Sequence, residues 1–153
     1  APLIIKQARE MGITAVIAAG DTWENATIIE NAGADAEGTV FSTFYDEAAP
    51  ANDEAAAFVD GFKAYLTSIG ESDIIPAVSA LGYDAYITAV QAIKDADSVD
   101  PAAIKDALKN VHVEGVTGDI TFDENGDANK DMAYIKTIKD GQIVFLTTTS
   151  IDE

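Results

Sequence analysis

The sequence lacks cysteine altogether and has one histidine, one tryptophan and four prolines. Without cysteine the chain has no disulfides, no thiolate metal ligands and no cysteine nucleophile. The sole histidine, His112, has no partners for a histidine-based metal site or at the spacings of a Ser-His-Asp system. No apolar run approaches the roughly 18 consecutive residues of a membrane-spanning helix. These absences argue against common classes of enzymes and metalloproteins.

Basic residues are also scarce, because nine lysines and arginines stand against 27 aspartates and glutamates, a formal net charge of -18 at pH 7. A surface this negative repels phosphate backbones and anionic lipids, which disfavours nucleic-acid binding and membrane-surface docking. Hydrophobic residues make up 48% of the 153 positions, enough for one domain or slightly more. The chain opens without Met, directly before a helix-like segment, and we expect it to be a piece of a longer protein.

The most informative stretch is residues 13–25. Residues 13–19 form a continuous apolar run, typical of a parallel strand that is covered on both faces. The run ends at Gly20 and Asp21, and a helical pattern follows. In open α/β sheets ligands bind beyond the carboxyl ends of the strands. Asp21 and Trp23 therefore stand at a candidate ligand site.

Asp21 has two alternative roles at this position. Its carboxylate would pair with the ammonium group of a ligand in a partly dehydrated cleft. Alternatively, Asp21 and Glu24 have the spacing of a capping box, in which Asp21 holds the first amides of the next helix. The only tryptophan, Trp23, would either wall an apolar pocket or pack as a core or rim residue. The residues alone leave both pairs of alternatives open.

The remaining pattern predicts alternating helices and strands in the opening third, which indicates a parallel sheet. An acidic, proline-containing linker is predicted at residues 45–53, and a hairpin of two strands near the end of the chain. Within a long helix at 79–96 the pattern predicts an inward face of apolar residues. Its members are Leu81, Ala85, Tyr86, Ala89, Val90 and Ile93.

Residues 123–127 match the first half of a calcium-binding loop, with side-chain oxygens at positions one, three and five. The match then fails, because Ala128 stands where the loop needs glycine and Tyr134 where it needs a bidentate glutamate. A solvated polar turn is the simpler interpretation, and no metal site is expected.

Three stretches, in their order and spacing, resemble the C-terminal half of the branched-chain amino-acid-binding proteins of ABC transporters. They are ALGYDA at residues 80–85, DPAAIKDAL at 100–108 and GVTGDITFDENGD at 115–127. The resemblance extends back through residues 36–38 and 3–8, so it covers nearly the whole chain. It implies an α/β fold: part of a bilobed periplasmic-binding-protein-like fold, with parallel sheets flanked by helices.

The resemblance also implies how the chain divides between the two lobes, which three crossing segments join in this family. Residues 1–44 would be part of the second lobe, 45–50 an interlobe crossing and 51–138 part of the first lobe. Residues 139–153 would be a C-terminal hairpin strand and tail, with the option of returning to the second lobe.

Members of this family grip the carboxylate and the ammonium of an amino acid in the cleft between the lobes. The ammonium partner is an acidic residue just past the strand that residues 13–19 match, and here that residue is Asp21. Thr22 and Trp23 would line the same wall, and Tyr45 near the crossing is a further candidate ligand contact. Relatives often have glycine where Thr22 stands. The carboxylate-binding residues of the family lie in its N-terminal half, outside this chain.

By resemblance the chain is a C-terminal fragment of the extracytoplasmic solute-binding component of an ABC importer for branched-chain or other aliphatic amino acids. Its partners would be a small amino-acid ligand and the membrane permease, with no cofactor, no nucleic acid and no enzyme activity. The location would be periplasmic or lipid-anchored at the cell surface. Because the missing half leaves sheet edges open, the fragment would self-associate or be a proteolytic remnant.

An alternative is a sensory or regulatory module of the same fold that binds amides or related small molecules. Such modules replace the acidic ammonium partner, because an amide carries no positive charge. The acidic residue at position 21 therefore argues against this alternative.

Overall fold

The computed structural model describes residues 1–71, 73–130 and 132–150. They form two compact units, one made of residues 1–48 with 132–150 and the other of residues 49–71 with 73–130. The lobe boundaries predicted from the sequence lie after residues 44, 50 and 138, and the assignment of these units to lobes stays a prediction. The helices and strands, in chain order, are α1 (Pro2–Glu10), β1 (Ala18–Ala19), α2 (Ala26–Ala32), β2 (Val40–Thr43), α3 (Asp53–Ser68), α4 (Ala77–Ala96), α5 (Pro101–Leu108), β3 (Val113–Gly115), β4 (Gly118–Ile120), β5 (Met132–Lys139) and β6 (Gln142–Ser150).

The first unit is a four-stranded sheet in the order β1-β2-β5-β6. Only β1 and β2 are parallel, whereas β2 with β5 and β5 with β6 are antiparallel. The α/β prediction is confirmed, and so is the parallel pairing expected for the opening third, whereas the sheet as a whole is mixed. The reason is the hairpin, in which Asp140 and Gly141 adopt φ angles of 52° and 69°. A two-residue turn of this kind joins only antiparallel strands.

The apolar run at residues 13–19 forms a shorter strand than expected. Only Ala18–Ala19 pair with β2, and Val16 is 70% exposed, so the run is not covered on both faces. Arg9 explains part of this, because its Nη1 donates hydrogen bonds to the carbonyls of Ile13 at 2.7 Å and Ala15 at 3.0 Å. These carbonyls therefore bond to the end of α1, and β1 lies at the edge of the sheet.

The core of the first unit lies between its helices and its two central strands. Ile5 of α1 and Ile28 of α2 are buried together with Phe41 of β2 and Ile138 of β5. Trp23 is partly buried and packs against this cluster. The chain just after β1 is therefore attached to the core of the unit.

The second unit holds α3, α4, α5 and the antiparallel hairpin β3–β4. The predicted start of α5 is confirmed, because Asp100 Oδ1 accepts hydrogen bonds from the amides of Ala102 and Ala103, and Pro101 occupies the first turn. Among the described residues, no helix is both apolar and long enough to cross a membrane.

The inward face predicted for α4 is wrong. Tyr86 and Ile93 are 69% and 41% exposed, Ala85 and Ala89 are also exposed, and Leu81 is only half-buried. The buried positions instead carry small or polar side chains, which permit close packing; they are Ala77, Ala80, Asp84, Thr88 and Ala92. Asp84 sets this orientation, since its carboxylate accepts hydrogen bonds from the loop after β3.

Candidate functional site

The candidate site is built on a sharp 3₁₀ turn, Asp21–Trp23, at the carboxyl end of β1. The amide of Trp23 donates to the carbonyl of Gly20 at 3.2 Å, and the amide of Glu24 donates to the carbonyl of Asp21 at 2.9 Å. Because β1 and β2 are parallel, the residues that follow Thr43 leave the sheet at the same end of the strands as this turn. The carboxyl ends of β1 and β2 therefore bring together residues from two separate parts of the sequence.

Asp21 is not the helix cap that the capping-box interpretation proposed. The N-cap of α2 is Asn25, whose Oδ1 accepts from the amide of Thr27 at 2.9 Å, and the carboxylate of Glu24 bonds elsewhere. Asp21 is half-buried, and its Oδ1 accepts from the amide of Thr22 at 2.9 Å. A carboxylate has about four acceptor positions. Asp21 thus combines partial burial with further capacity to accept hydrogen bonds.

Thr22 and Trp23 complete the turn in different ways. Thr22 is exposed, whereas Trp23 is half-buried and rests on the core cluster. The packing interpretation of Trp23 is therefore confirmed, and a ring held in this way is a rigid apolar group two residues from Asp21 on the same turn. An anion and a fixed aromatic ring match two parts of a cationic or zwitterionic apolar ligand, its positive charge and its apolar side chain.

A buried group of charges behind the turn escaped the sequence analysis. Lys136 Nζ hydrogen-bonds Glu24 Oε1 and lies 3.0 Å from Asp46 Oδ2, while Thr43 Oγ1 donates to Glu24 Oε2 at 2.9 Å. The side chains of Lys136, Glu24 and Asp46 are only 6%, 9% and 8% exposed. Two carboxylates and one ammonium give this charge cluster (Glu24, Asp46 and Lys136, with Thr43) a formal charge of −1.

Tyr45 lies beside the same charges and is 2% exposed. Burial raises the pKa of Tyr45 to about 12, and the carboxylates of Glu47, Asp46 and Glu24 add to the shift. Burial likewise raises the pKa of the Tyr134 hydroxyl, with a further contribution from Asp46. Both phenols are therefore neutral hydrogen-bonding groups at physiological pH.

The other polar groups singled out in the sequence serve local structure. The carboxylate of Asp123 accepts from the amides of Asn125 at 2.8 Å and Asp127 at 2.9 Å, and these bonds hold its pKa below the usual value. His112 Nε2 lies 3.8 Å from Asp119 Oδ1 on the exposed surface. Within residues 1–71, 73–130 and 132–150, no three His, Asp or Glu side chains are placed to hold a metal ion.

Comparisons with known proteins agree with one another. A family model described as periplasmic binding protein matches residues 1–142. The leucine-, isoleucine-, valine-, threonine- and alanine-binding protein of Pseudomonas aeruginosa is 28% identical over 125 residues, which are 82% of this chain and 32% of that protein.

Solved structures extend the similarity to the fold. The leucine-binding protein of Thermotoga maritima is 37% identical with a TM-score of 0.84, covering 99% of this chain and 42% of its own. The branched-chain amino acid transporter substrate-binding protein of Streptococcus pneumoniae, solved with isoleucine, is 29% identical with a TM-score of 0.76, covering 99% and 41%. The chain thus spans between 32% and 42% of the length of these relatives.

Proposed function

Because this chain belongs to the periplasmic binding protein family, we propose that it is part of the extracytoplasmic solute-binding component of an ABC importer for branched-chain or other aliphatic amino acids. Its partners are then an amino acid and the membrane permease that receives it. Its location is extracytoplasmic, either periplasmic or lipid-anchored at the cell surface. The relatives carry names of binding proteins, and we propose no enzymatic step and no cofactor.

The observation that carries this proposal is the 3₁₀ turn at the end of β1, which holds a half-buried Asp21 and a half-buried Trp23 two residues apart. An aliphatic amino acid needs an anion for its ammonium group and an apolar wall for its side chain. A charge-assisted hydrogen bond is roughly twice as strong as a neutral one, and partial burial strengthens it by lowering the local dielectric. Thr22, on the same turn, is proposed to line the wall with Trp23.

Tyr45 is kept as a separate candidate for contact with the ligand. Its side chain is only 2% exposed, unlike those of Asp21 and Thr22, so its role needs a test of its own. If its hydroxyl binds the ligand, Tyr45→Phe will lower the affinity for the amino acid by about 0.5–1.5 kcal/mol, the net value of one neutral hydrogen bond. Unchanged affinity will limit the role of Tyr45 to packing behind the turn.

The test is calorimetric titration of the protein at its natural length with leucine, isoleucine, valine and acetamide. We expect the wild type to bind the amino acids and Asp21→Ala to lose about 2–5 kcal/mol of binding free energy, because one partner of a charge pair is removed. Asp60→Ala is the matched control, because Asp60 is exposed on α3. Undiminished binding by Asp21→Ala would refute the ammonium role, and binding of acetamide alone would favour the amide-sensor alternative.

We also propose that the chain on its own self-associates. Val16 is 70% exposed beside the edge strand β1, and exposed apolar strand edges pair readily with other chains. Light scattering of these 153 residues across a concentration series will test this. A constant monomer mass would contradict it.

A further inference from the structure

Glu24 connects the candidate ligand turn to the interior of the first unit. Its backbone amide closes the turn by donating to the carbonyl of Asp21 at 2.9 Å. Its carboxylate is bound at both oxygens, by Thr43 Oγ1 at one and by Lys136 Nζ at the other. The residue that ends the Asp21–Trp23 turn is therefore attached to two strands of the sheet.

The strands that hold Glu24 are themselves firmly placed. Thr43 is the last residue of β2 and is fully buried. Lys136 belongs to the central strand β5 and is paired in register with Phe41, a core residue. Directly paired residues present their side chains on the same face of a sheet. The buried face of β2 and β5 thus changes from apolar at Phe41 and Ile138 to charged at Lys136.

The electrostatics of the charge cluster favour a role in geometry over one in stability. Removing ions from water is costly, and a buried ion pair seldom stabilises a fold more than apolar residues of the same volume. An apolar replacement would hold the strands together without directing the chain at Glu24. The cluster instead places one carboxylate at a defined position through directional hydrogen bonds.

We propose that Glu24, anchored by Lys136 and Thr43, is the positioning residue that fixes the Asp21–Trp23 turn and so holds Asp21 in the orientation that receives the ligand's ammonium group. Asp46 completes the anchor, because its Oδ2 lies 3.0 Å from Lys136 Nζ. This inference rests on the proposed function for its effect on affinity. Its structural part, the fixing of the turn, is independent of any ligand.

The ligand-independent test uses Trp23. In the protein at its natural length, the contribution of Trp23 to fluorescence is the difference between each variant and the same variant carrying Trp23→Phe. Glu24→Gln keeps the shape of the side chain and removes its charge. We expect acrylamide to quench Trp23 about twofold more strongly in Glu24→Gln, since a loosened turn exposes a ring that is partly buried on the core. Equal quenching would overturn the inference.

The ligand-dependent test is a double-mutant cycle with Asp21→Asn and Glu24→Gln, titrated with the tightest binder among leucine, isoleucine, valine and alanine. We expect Glu24→Gln to weaken binding about tenfold, as replacement of outer residues that orient metal ligands does. In the Asp21→Asn background the same change should cost less than about twofold, because its effect passes through Asp21. Glu30→Gln, an exposed change on α2, is the matched control.

The outcomes separate this inference from the proposed function. Equal losses from Glu24→Gln in both backgrounds would overturn positioning through Asp21 while leaving the binding function intact. A wild type that binds no amino acid would overturn the proposed function and with it the effect on affinity, while the quenching experiment still decides whether Glu24 fixes the turn. If Glu24→Gln does not fold, Thr43→Val removes the other bond of the same carboxylate and is taken through both experiments with the same criteria.

Discussion

Asp84 Oδ1 accepts a hydrogen bond of 2.7 Å from the backbone amide of Val116, although the two residues are 32 positions apart in the sequence. The other oxygen of the same carboxylate accepts from the amide of Thr117 at 2.9 Å and from its hydroxyl at 2.6 Å. Asp84 is 3% exposed. One carboxylate on α4 therefore holds the turn between β3 and β4.

Replacing Asp84 should destabilise the protein strongly. Asp84→Ala leaves the buried amide of Val116 and both donors of Thr117 without this acceptor. Because hydrogen bonds to a charged group contribute about 1.5–3 kcal/mol each and are not additive, we expect a loss of about 3 kcal/mol in urea unfolding. Asp95→Ala, an exposed change on the same helix, should stay within about 0.5 kcal/mol. Similar losses for both variants would contradict the role of Asp84.

Gly115 is required because the Asp84 carboxylate lies against it. A Cβ atom at this position would stand 2.7 Å from both carboxylate oxygens of Asp84 and from Ile120 Cδ1. Gly115→Ala should therefore cost about 1–3 kcal/mol of unfolding free energy, the usual cost of overpacking. The cost should shrink in an Asp84→Ala background, because both changes disturb the same contact.

Gly82→Ala is the matched control for Gly115→Ala. Apart from its chain neighbours and the backbone of its own helix, no described heavy atom lies within 4 Å of a Cβ built at Gly82, which occupies the interior of α4. Alanine is a better helix former than glycine by about 1 kcal/mol, so this change should leave the stability equal or higher. Destabilisation by Gly82→Ala that equals the effect at Gly115 would refute the steric explanation.

Lys136 is the only cation in the charge cluster, and its removal leaves two carboxylates facing each other in the interior. We expect Lys136→Met to cost about 3–5 kcal/mol at pH 7, as the breaking of a buried ion pair does. Lys139→Met on the same strand is the control, since Lys139 is exposed, and it should change the unfolding free energy by less than about 0.5 kcal/mol. If Lys136→Met leaves the unfolding free energy unchanged, the ion pairs make no net contribution to stability.

The raised pKa of Tyr45 predicts that the protein loses stability at alkaline pH. Its pKa is about 12 in the folded protein and 10.0 in the unfolded chain, so its stabilisation is fully present below pH 10. Between pH 10 and pH 12 the unfolded chain releases the proton first, and stability falls by about 1.4 kcal/mol per pH unit.

Urea unfolding from pH 9 to pH 11.5 measures this effect. Tyr45→Phe should lose about 2 kcal/mol less than the wild type across the range, because it lacks the titrating group. Tyr86→Phe should follow the wild type, since Tyr86 is 69% exposed. Parallel curves for wild type and Tyr45→Phe would contradict the raised pKa.

Local signals in the sequence predicted most helices and the closing hairpin. Asp100 followed by Pro101 marks the start of α5, and Asp140-Gly141 marks the turn between β5 and β6. Such signals act within a few residues, so a single sequence carries them. The candidate turn itself was located for the same reason, since Gly20 and Asp21 end an apolar run.

Long-range electrostatics explain what the sequence analysis missed. Glu24 and Lys136 are 112 positions apart in the sequence. The residues around Glu24 do not indicate that its carboxylate binds a lysine of β5 instead of forming a capping box. One signal was available, because Lys136 stands between Tyr134 and Ile138 on the inward alternation of β5 and needed an anionic partner. On α4 the apolar pattern predicts Tyr86 and Ile93 on the inward face, but the hydrogen bonds of the Asp84 carboxylate turn a different face toward the unit.

The role of Asp21 as the partner of the ligand's ammonium group is best tested by comparing leucine with 4-methylpentanoate, which has the same side chain and carboxylate but no ammonium. Calorimetric titration of the wild type and of Asp21→Asn, both at natural length, gives the coupling free energy between the ligand's ammonium group and the carboxylate of Asp21. We predict that the wild type prefers leucine by at least about 30-fold, as expected for a charge pair of 2 kcal/mol or more, and that Asp21→Asn loses most of this preference. An equal preference for leucine in both proteins would show that Asp21 does not bind the ammonium group.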